Sequence, residues 1–174
     1  SSPSRGLGDV YKRQVLVESK TSFTVGDTEF LLNPARGETD DHLWAFIPKE
    51  KILLPGDLFI WAVPNGGNPQ KVQRYISDWA DALREMSELE AEIMLPGHGY
   101  PMFGKENIKQ ALTSTAEFLD DIENQVIKLM NQGKTLNFII HKVEFKKNLM
   151  ELPWLKPVYD LSLIHISEPT RRTT

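Results

Sequence analysis

Three short polar clusters, each bordered by an apolar run of strand character, constrain what this chain can fold into more than any other feature. They are Arg36-Gly37-Glu38-Thr39-Asp40-Asp41-His42, Pro55-Gly56-Asp57-Leu58-Phe59 and Leu95-Pro96-Gly97-His98-Gly99. Each sets a carboxylate or an imidazole beside glycine. Carboxylate oxygen and imidazole nitrogen suit zinc or a similar divalent ion. Side chains delivered from separate strand ends can meet at one edge of a sheet, where loops carry function. Alone, each cluster is weak: Pro-Gly-His-Gly reads first as a turn, and Gly-Asp is a common turn pair.

The segments between the clusters have a readable order. Thr21–Leu32 is a hairpin, with Phe23 and Val25 alternating with polar residues and Gly26-Asp27 as the turn. Asn33-Pro34 then stops the strand and frees the loop that holds Glu38. Leu43–Ile47 is a nearly unbroken apolar strand of the kind buried on both faces, and Ile52–Leu54 returns after a Pro48–Lys51 turn. Glu38, Asp40 and Asp41 read either as a solvated turn or as a paired or coordinated set, and polar groups at the mouth of a buried strand, costly unless paired or coordinated, favour the second; His42 either ligates a metal itself or orients Glu38. Asp57 is then expected at a strand end, and Phe59–Val63 as pocket wall or core. Asn68-Pro69 starts a helix whose Val72, Ile76, Trp79, Leu83 and Met86 recur at three- and four-residue steps. Ile93-Met94-Leu95 is a short strand leading into His98.

Order and spacing together resemble the second half of the metallo-β-lactamase superfamily, where a ligand after a glycine precedes a strand pair, a Gly-Asp ligand, a helix, a strand and Pro-Gly-His-Gly. The 19 positions from Glu38 to Asp57 fit two short strands and a hairpin. Most of that superfamily has histidine where this chain has Glu38. The alkylsulfatase branch has glutamate there, so the resemblance is closer to that branch. It implies an α/β fold, the second half of an αββα sandwich, followed by a helical extension. It further implies Glu38, Asp57 and His98 as metal ligands, with Asp57 bridging two zinc ions, and His42 either behind Glu38 or a ligand itself. The chemistry implied is ester cleavage by metal-bound hydroxide, with a small-molecule ester as substrate. A thioesterase or lactonase of the same superfamily is the nearest alternative, and a non-catalytic helical interaction fragment the other.

Beyond Gly104 the chain turns helical. Ile108, Leu112, Thr115, Leu119, Ile122, Val126 and Leu129 form a stripe from Lys105 to Asn131, with Gly133 as the stop. Thr135–Val143 is a further helix carrying His141, read as an ordinary surface or core histidine, and Leu152–Tyr159 is extended. A long helix, a Gly133-Lys134-Thr135 turn and a second helix resemble the region that follows the catalytic domain in alkylsulfatases, which implies a homodimer.

The ends are read differently. Ser1–Gln14 and Leu161–Thr174 lack apolar periodicity and look like translated sequencing adapter, so the natural chain is expected to be truncated at both ends. His165 is set aside with that tail. The resulting division is Ser1–Gln14 as tail, Val15–Gly104 as the half-domain, Lys105–Asp160 as the helical extension and Leu161–Thr174 as tail. The whole chain has 20 basic and 24 acidic residues, and Val15–Asp160 has 15 and 22. That balance argues against nucleic acid or an anionic membrane surface as partner. No run approaches a transmembrane span, and with no cysteine, disulfides and thiolate metal sites are excluded. Nothing in Val15–Asp160 matches the His-x-His-x-Asp-His cluster that supplies the other half of the superfamily's metal site. It is expected upstream.

Overall fold

The computed structural model describes residues 15–66 and 74–157. The readings of the two tails, of Asn68-Pro69 as a helix start and of Val72 lie outside those residues. Six strands form one mixed sheet in sequence order: β1 (Thr21–Val25), β2 (Thr28–Ala35), β3 (His42–Ile47), β4 (Ile52–Ile60), β5 (Ile93–His98) and β6 (Met102–Phe103). Every neighbouring pair is antiparallel except β4 and β5. A parallel pair needs a crossover, and helix α1 (Ile76–Ser87) lies in that connection. Long helix α2 (Lys105–Asn131) follows, then α3 (Leu136–Lys142), α4 (Lys147–Met150) and a 3₁₀ turn at Pro153–Leu155.

Local chemistry accounts for several of these boundaries. Gly26, at φ +59, supplies the left-handed residue of the β1–β2 turn. Thr135 caps α3 by accepting a hydrogen bond from the Phe138 N–H at 3.3 Å, and α2 runs from Lys105 to Asn131 as its stripe requires.

Four expectations are corrected. Strand β2 continues through Pro34 to Ala35, because β1 begins only at Thr21, opposite Leu32, and leaves one side of β2 unpaired beyond it. A residue without an N–H is tolerated at such an edge. Residues 74 and 75 are not helical and α1 begins at Ile76, so the predicted helix does not run unbroken from Asn68. Residues 153–155 make a 3₁₀ turn that buries Trp154 and Leu155, in place of an extended strand. Strand β3 is covered on one face only, with Trp44 and Phe46 buried and Leu43 exposed. Phe59 and Val63 belong to the core.

The reason for that one-sidedness is the placement of the helices. Paired residues across a sheet share a face, and the Phe46–Leu53, Leu53–Met94 and Met94–Met102 pairs carry one face across β3 to β6. These four residues join Trp79, Leu83, Ile108, Leu112 and Leu119 of α1 and α2 in one buried cluster. The opposite face is built from the pairs Phe23–Phe30, Leu32–Ala45, Ala45–Leu54, Ile52–Ile93 and Ile93–Phe103. It is apolar too, yet Phe23, Leu43, Leu95 and Phe103 on it are exposed.

Candidate metal centre

Strand β4 does not end at Leu54. It runs on through Pro55-Gly56-Asp57, and its register with β5 shifts between Leu53 and Gly56 and again between Gly56 and Ile60. Asp57 therefore sits in an irregular stretch inside the strand rather than beyond its end. Such irregularities re-aim side chains and recur beside functional sites. Across the parallel seam, Gly56 pairs with Pro96 and Ile60 with His98, which brings the second and third polar clusters together.

The contact is close. His98 Nε2 lies 3.5 Å from Asp57 Oδ1, with the two side chains 76% and 43% exposed. Gly97 makes the approach feasible: a Cβ there would stand 2.1 Å from Asp57 Oδ1 and 2.9 Å from the Gly56 carbonyl carbon. Only a residue without a side chain fits. Gly99, at φ +109, is crowded against Trp61 in the same way, and the Trp61 indole donates to the Tyr100 carbonyl at 2.7 Å. The Trp61 N–H also donates to the His98 carbonyl at 3.2 Å. His98 is thus fixed through its backbone while its ring stays accessible.

The first cluster arrives from the other side. Gly37 sits against Leu58 and Trp79, where a Cβ would come within 2.6 Å of Leu58 Cδ2. Its carbonyl accepts from Tyr75 N–H at 2.9 Å, which ties the loop to the start of α1. His42 begins β3, paired with Ala35 and two residues before Trp44, on the helix-covered face. Glu38, Thr39, Asp41, His42, Leu43, Asp57 and Arg74 line one cleft of ≈ 500 Å³. Asp40 is absent from that lining and borders a neighbouring hollow with Asp78, Asp81 and Glu85.

The site residues read from the sequence are therefore only partly assembled. Asp57 and His98 are brought together, and Glu38, His42 and Asp57 share a cleft, whose lining does not include His98. The Glu38 carboxylate is ion-paired with Arg74. Among the described residues, no three His, Asp or Glu side chains form a group ready to hold a metal ion. His42 Nε2 is buried and has no hydrogen-bond partner. Burial pushes the His42 imidazole below its ordinary pKa, and the charges of Asp57 and Asp41 pull it part of the way back. His141 is exposed on α3, as an ordinary surface histidine.

Sequence reasoning missed Arg74. Its side chain is only 8% exposed, and burial lowers its guanidinium pKa. Nη1 is ion-paired with Glu38, and Nε is buried with no hydrogen-bond partner among the described residues. Nothing local marks this arginine, since its importance comes from the fold that folds residues 36–38 back onto residues 74–75.

The donor set fits a divalent cation on three counts. The chemistry is carboxylate and imidazole. His42 presents a buried nitrogen without a partner, and such nitrogens are rare unless a ligand uses them. The cleft holds three carboxylates, Glu38, Asp41 and Asp57, against one guanidinium, so its field favours a positive ion.

Comparison with known proteins follows the same line. No family model matches the chain. A linear primary-alkylsulfatase from Pseudomonas sp. (strain ATCC 19151) is 25% identical over 134 residues, which are 75% of this chain and 25% of that enzyme. A hydroxyacylglutathione hydrolase from Francisella tularensis subsp. novicida (strain U112) is 24% identical over 155 residues, 83% of this chain and 60% of the relative. The chain thus spans a quarter of one curated relative and three-fifths of the other. Among solved structures, the stereoselective inverting sec-alkylsulfatase Pisa1 from Pseudomonas sp. superposes with a TM-score of 0.72 at 22% identity. The match covers 80% of this chain and 23% of Pisa1, and at that identity it speaks for the fold.

Proposed function

The chain is an alkylsulfatase-like member of the metallo-β-lactamase superfamily, and from that premise we propose that it carries one side of a divalent-metal hydrolase site. Glu38, Asp57 and His98 are the metal ligands of this reading, zinc is the metal, and two ions are held when the site is complete. The observation that carries it is the Asp57–His98 contact beside the buried, unpartnered His42 Nε2. His42 is better suited to face the ion or the substrate than to hold Glu38 from behind, because its Nε2 is buried without a hydrogen-bond partner. A divalent ion bound there supplies Lewis acidity for ester cleavage. The chain's own residues do the positioning: Gly97 lets Asp57 and His98 approach, and Trp61 anchors the His98 backbone.

The same reading makes the sheet one half of an αββα sandwich, with residues from Lys105 onward as a helical extension. The apolar, open face of the sheet supports this, since a second sheet would cover it. Exposed Ile127, Met130, Leu136 and Phe138 at the α2–α3 corner support a homodimer through the extension. The substrate proposed is an alkyl sulfate ester. Similarity to a hydroxyacylglutathione hydrolase favours a thioester as the second reading.

The test is reconstruction. Three ligands, two of them anionic, are too few to hold two ions and leave a position open for water. Residues 15–160 alone should therefore neither hydrolyse alkyl sulfates nor keep stoichiometric zinc after dialysis. Joined to a segment carrying the His-x-His-x-Asp-His cluster, they should do both, and Asp57→Ala should then abolish turnover. Sulfate-ester turnover by residues 15–160 alone would overturn the assignment, as would a reconstructed protein indifferent to Asp57→Ala.

A further inference from the structure

The helical extension reaches the candidate ligand His98 through a row of aromatic rings. Trp61, just past the end of β4, holds the loop at His98 in three ways. Its backbone N–H donates to the His98 carbonyl at 3.2 Å, and its indole Nε1 donates to the Tyr100 carbonyl at 2.7 Å. Between those bonds the ring lies so close to Gly99 that a Cβ there would stand 2.2 Å from Trp61 Cδ1. Trp61 is itself held by the extension. Trp154, on the 3₁₀ turn Pro153–Leu155, meets it edge to face, with ring centroids 6.5 Å apart and planes at 80°. Trp154 is 8% exposed, and its indole donates to the Ser114 hydroxyl of α2 at 2.9 Å. That hydroxyl donates onward to the Gln110 carbonyl at 2.7 Å. Two residues beyond Trp154, the Lys156 carbonyl accepts from the Val63 N–H at 3.3 Å. The segment is therefore tied to the chain around Trp61 by backbone as well as by ring.

We propose that Trp154 is a positioning residue for His98, acting through Trp61, so that the helical extension is part of the metal site and not an appendage to it. The inference rests on the reading of His98 as a metal ligand, and it adds what keeps that ligand in place. The His98 ring is 76% exposed, so packing around the ring does not fix it. Its place is set by the backbone of residues 98–100, and that backbone is held by Trp61. The second side-chain torsion of a tryptophan is broad, and an edge-to-face neighbour narrows it. Without Trp154 the Trp61 ring is free to turn, and its N–H then leaves the Tyr100 carbonyl. Burial alone would be served by a leucine at position 154. The edge contact and the bond to Ser114 fix an orientation as well. Orientation matters here because metal ligands must be held to within about 0.5 Å. Loss of the partners that orient a ligand costs about 10–100-fold in metal affinity.

The test follows the His98 ring and Gly99 amide resonances in the labelled, metal-free chain, and then zinc binding through the same signals. Trp154→Leu should shift and broaden both signals and weaken zinc binding about tenfold. Trp154→Phe, which keeps an aromatic edge, should restore most of that affinity. Ser114→Ala, which removes only the acceptor of the Trp154 indole, should fall between them. Ile139→Ala is the control, since Ile139 is buried in the extension but outside the core cluster that holds Trp154 and Trp61. It should lower stability and leave His98, Gly99 and the zinc affinity unchanged. A merely structural Trp154 predicts that Trp154→Leu behaves as Ile139→Ala does, and that result overturns the proposal. An equal loss of zinc affinity in the two variants overturns it too. Should Trp154→Leu fail to fold by circular dichroism, Trp154→Phe and Ser114→Ala decide: unmoved His98 and Gly99 signals in both overturn the proposal. The metal assignment is read separately, in the wild-type chain. If zinc leaves the His98 ring unmoved there, the ligand reading falls, while a metal-free His98 signal displaced by Trp154→Leu still upholds the positioning role. Zinc moving the His98 ring with equal affinity in wild type and Trp154→Leu does the reverse.

Discussion

The two faces of the sheet are nearly equal in composition and opposite in fate. Under α1 and α2, Leu53 and Met94 are fully buried, and Trp44, Phe46 and Met102 nearly so. One residue along each strand, the open face carries Leu43, Leu95 and Phe103 at 41%, 39% and 62% exposure. Apolar alternation sets which residues share a face, but it does not decide whether a layer arrives to cover them. A monomeric protein rarely leaves so continuous an apolar surface in water. The difference teaches that the covered face is where this chain's own stability resides, and that the open face contributes little to it.

The comparison is most easily broken on the covered side. Trp79 is 2% exposed and its indole donates to the Leu58 carbonyl at 2.7 Å. Trp79→Ala should cost about 3–5 kcal/mol in urea denaturation; a loss of only a few tenths would mean that the helix layer does not hold the sheet. Gly97→Ala comes next. Its Cβ would collide with Asp57 Oδ1 and the Gly56 backbone, and overpacking of this kind costs about 1–3 kcal/mol. It should also separate Asp57 from His98, readable as a change in the His98 ring resonances. A neutral, well-folded Gly97→Ala protein would show that β4 and β5 are less closely apposed there.

A smaller effect concerns pH. Burial holds the His42 pKa below its unfolded value of 6.5, so the unfolded chain takes up a proton before the folded one does. The stability belonging to neutral His42 is therefore complete above about pH 6.5 and is lost as pH falls through the folded pKa. His42→Gln should flatten that limb of the stability profile, and an unchanged acid limb would mean that His42 is not held neutral. The smallest effect on stability is expected on the open face. Phe103→Ser should change the urea midpoint little, by about 0.5 kcal/mol or less, while reducing the binding of an apolar dye and self-association. A stability loss comparable to that of Trp79→Ala would erase the distinction between the faces.

Much of this was legible in the sequence because its physics is local. The 3.6-residue stripe of Ile108, Leu112, Thr115 and Leu119, closed by Gly133 at φ +70, specifies helix α2 by itself. Gly26 specifies the first hairpin, and Thr135 the start of α3. Glycine beside a carboxylate or imidazole singled out Glu38, Asp57 and His98 before any contact was known. Other features depend on residues distant along the chain, and no local pattern carries them. Pro34 by itself reads as a strand stop, but whether it stops the strand depends on where β1 begins. Asp57 by itself reads as a strand-end residue, but β5 pairs alongside and β4 runs on through it. Arg74 gains its meaning only from Gly37 and Glu38, brought to it by the hydrogen bond from Tyr75 N–H to the Gly37 carbonyl. The sequence alone determined the periodicities, turns and chemical types of the candidate ligands, because these follow from a residue and its near neighbours. Only the tertiary structure decided which face was covered, which two candidate ligands lie together and which cation pairs with the third candidate. Those outcomes are set by burial and charge between segments that the chain keeps tens of residues apart.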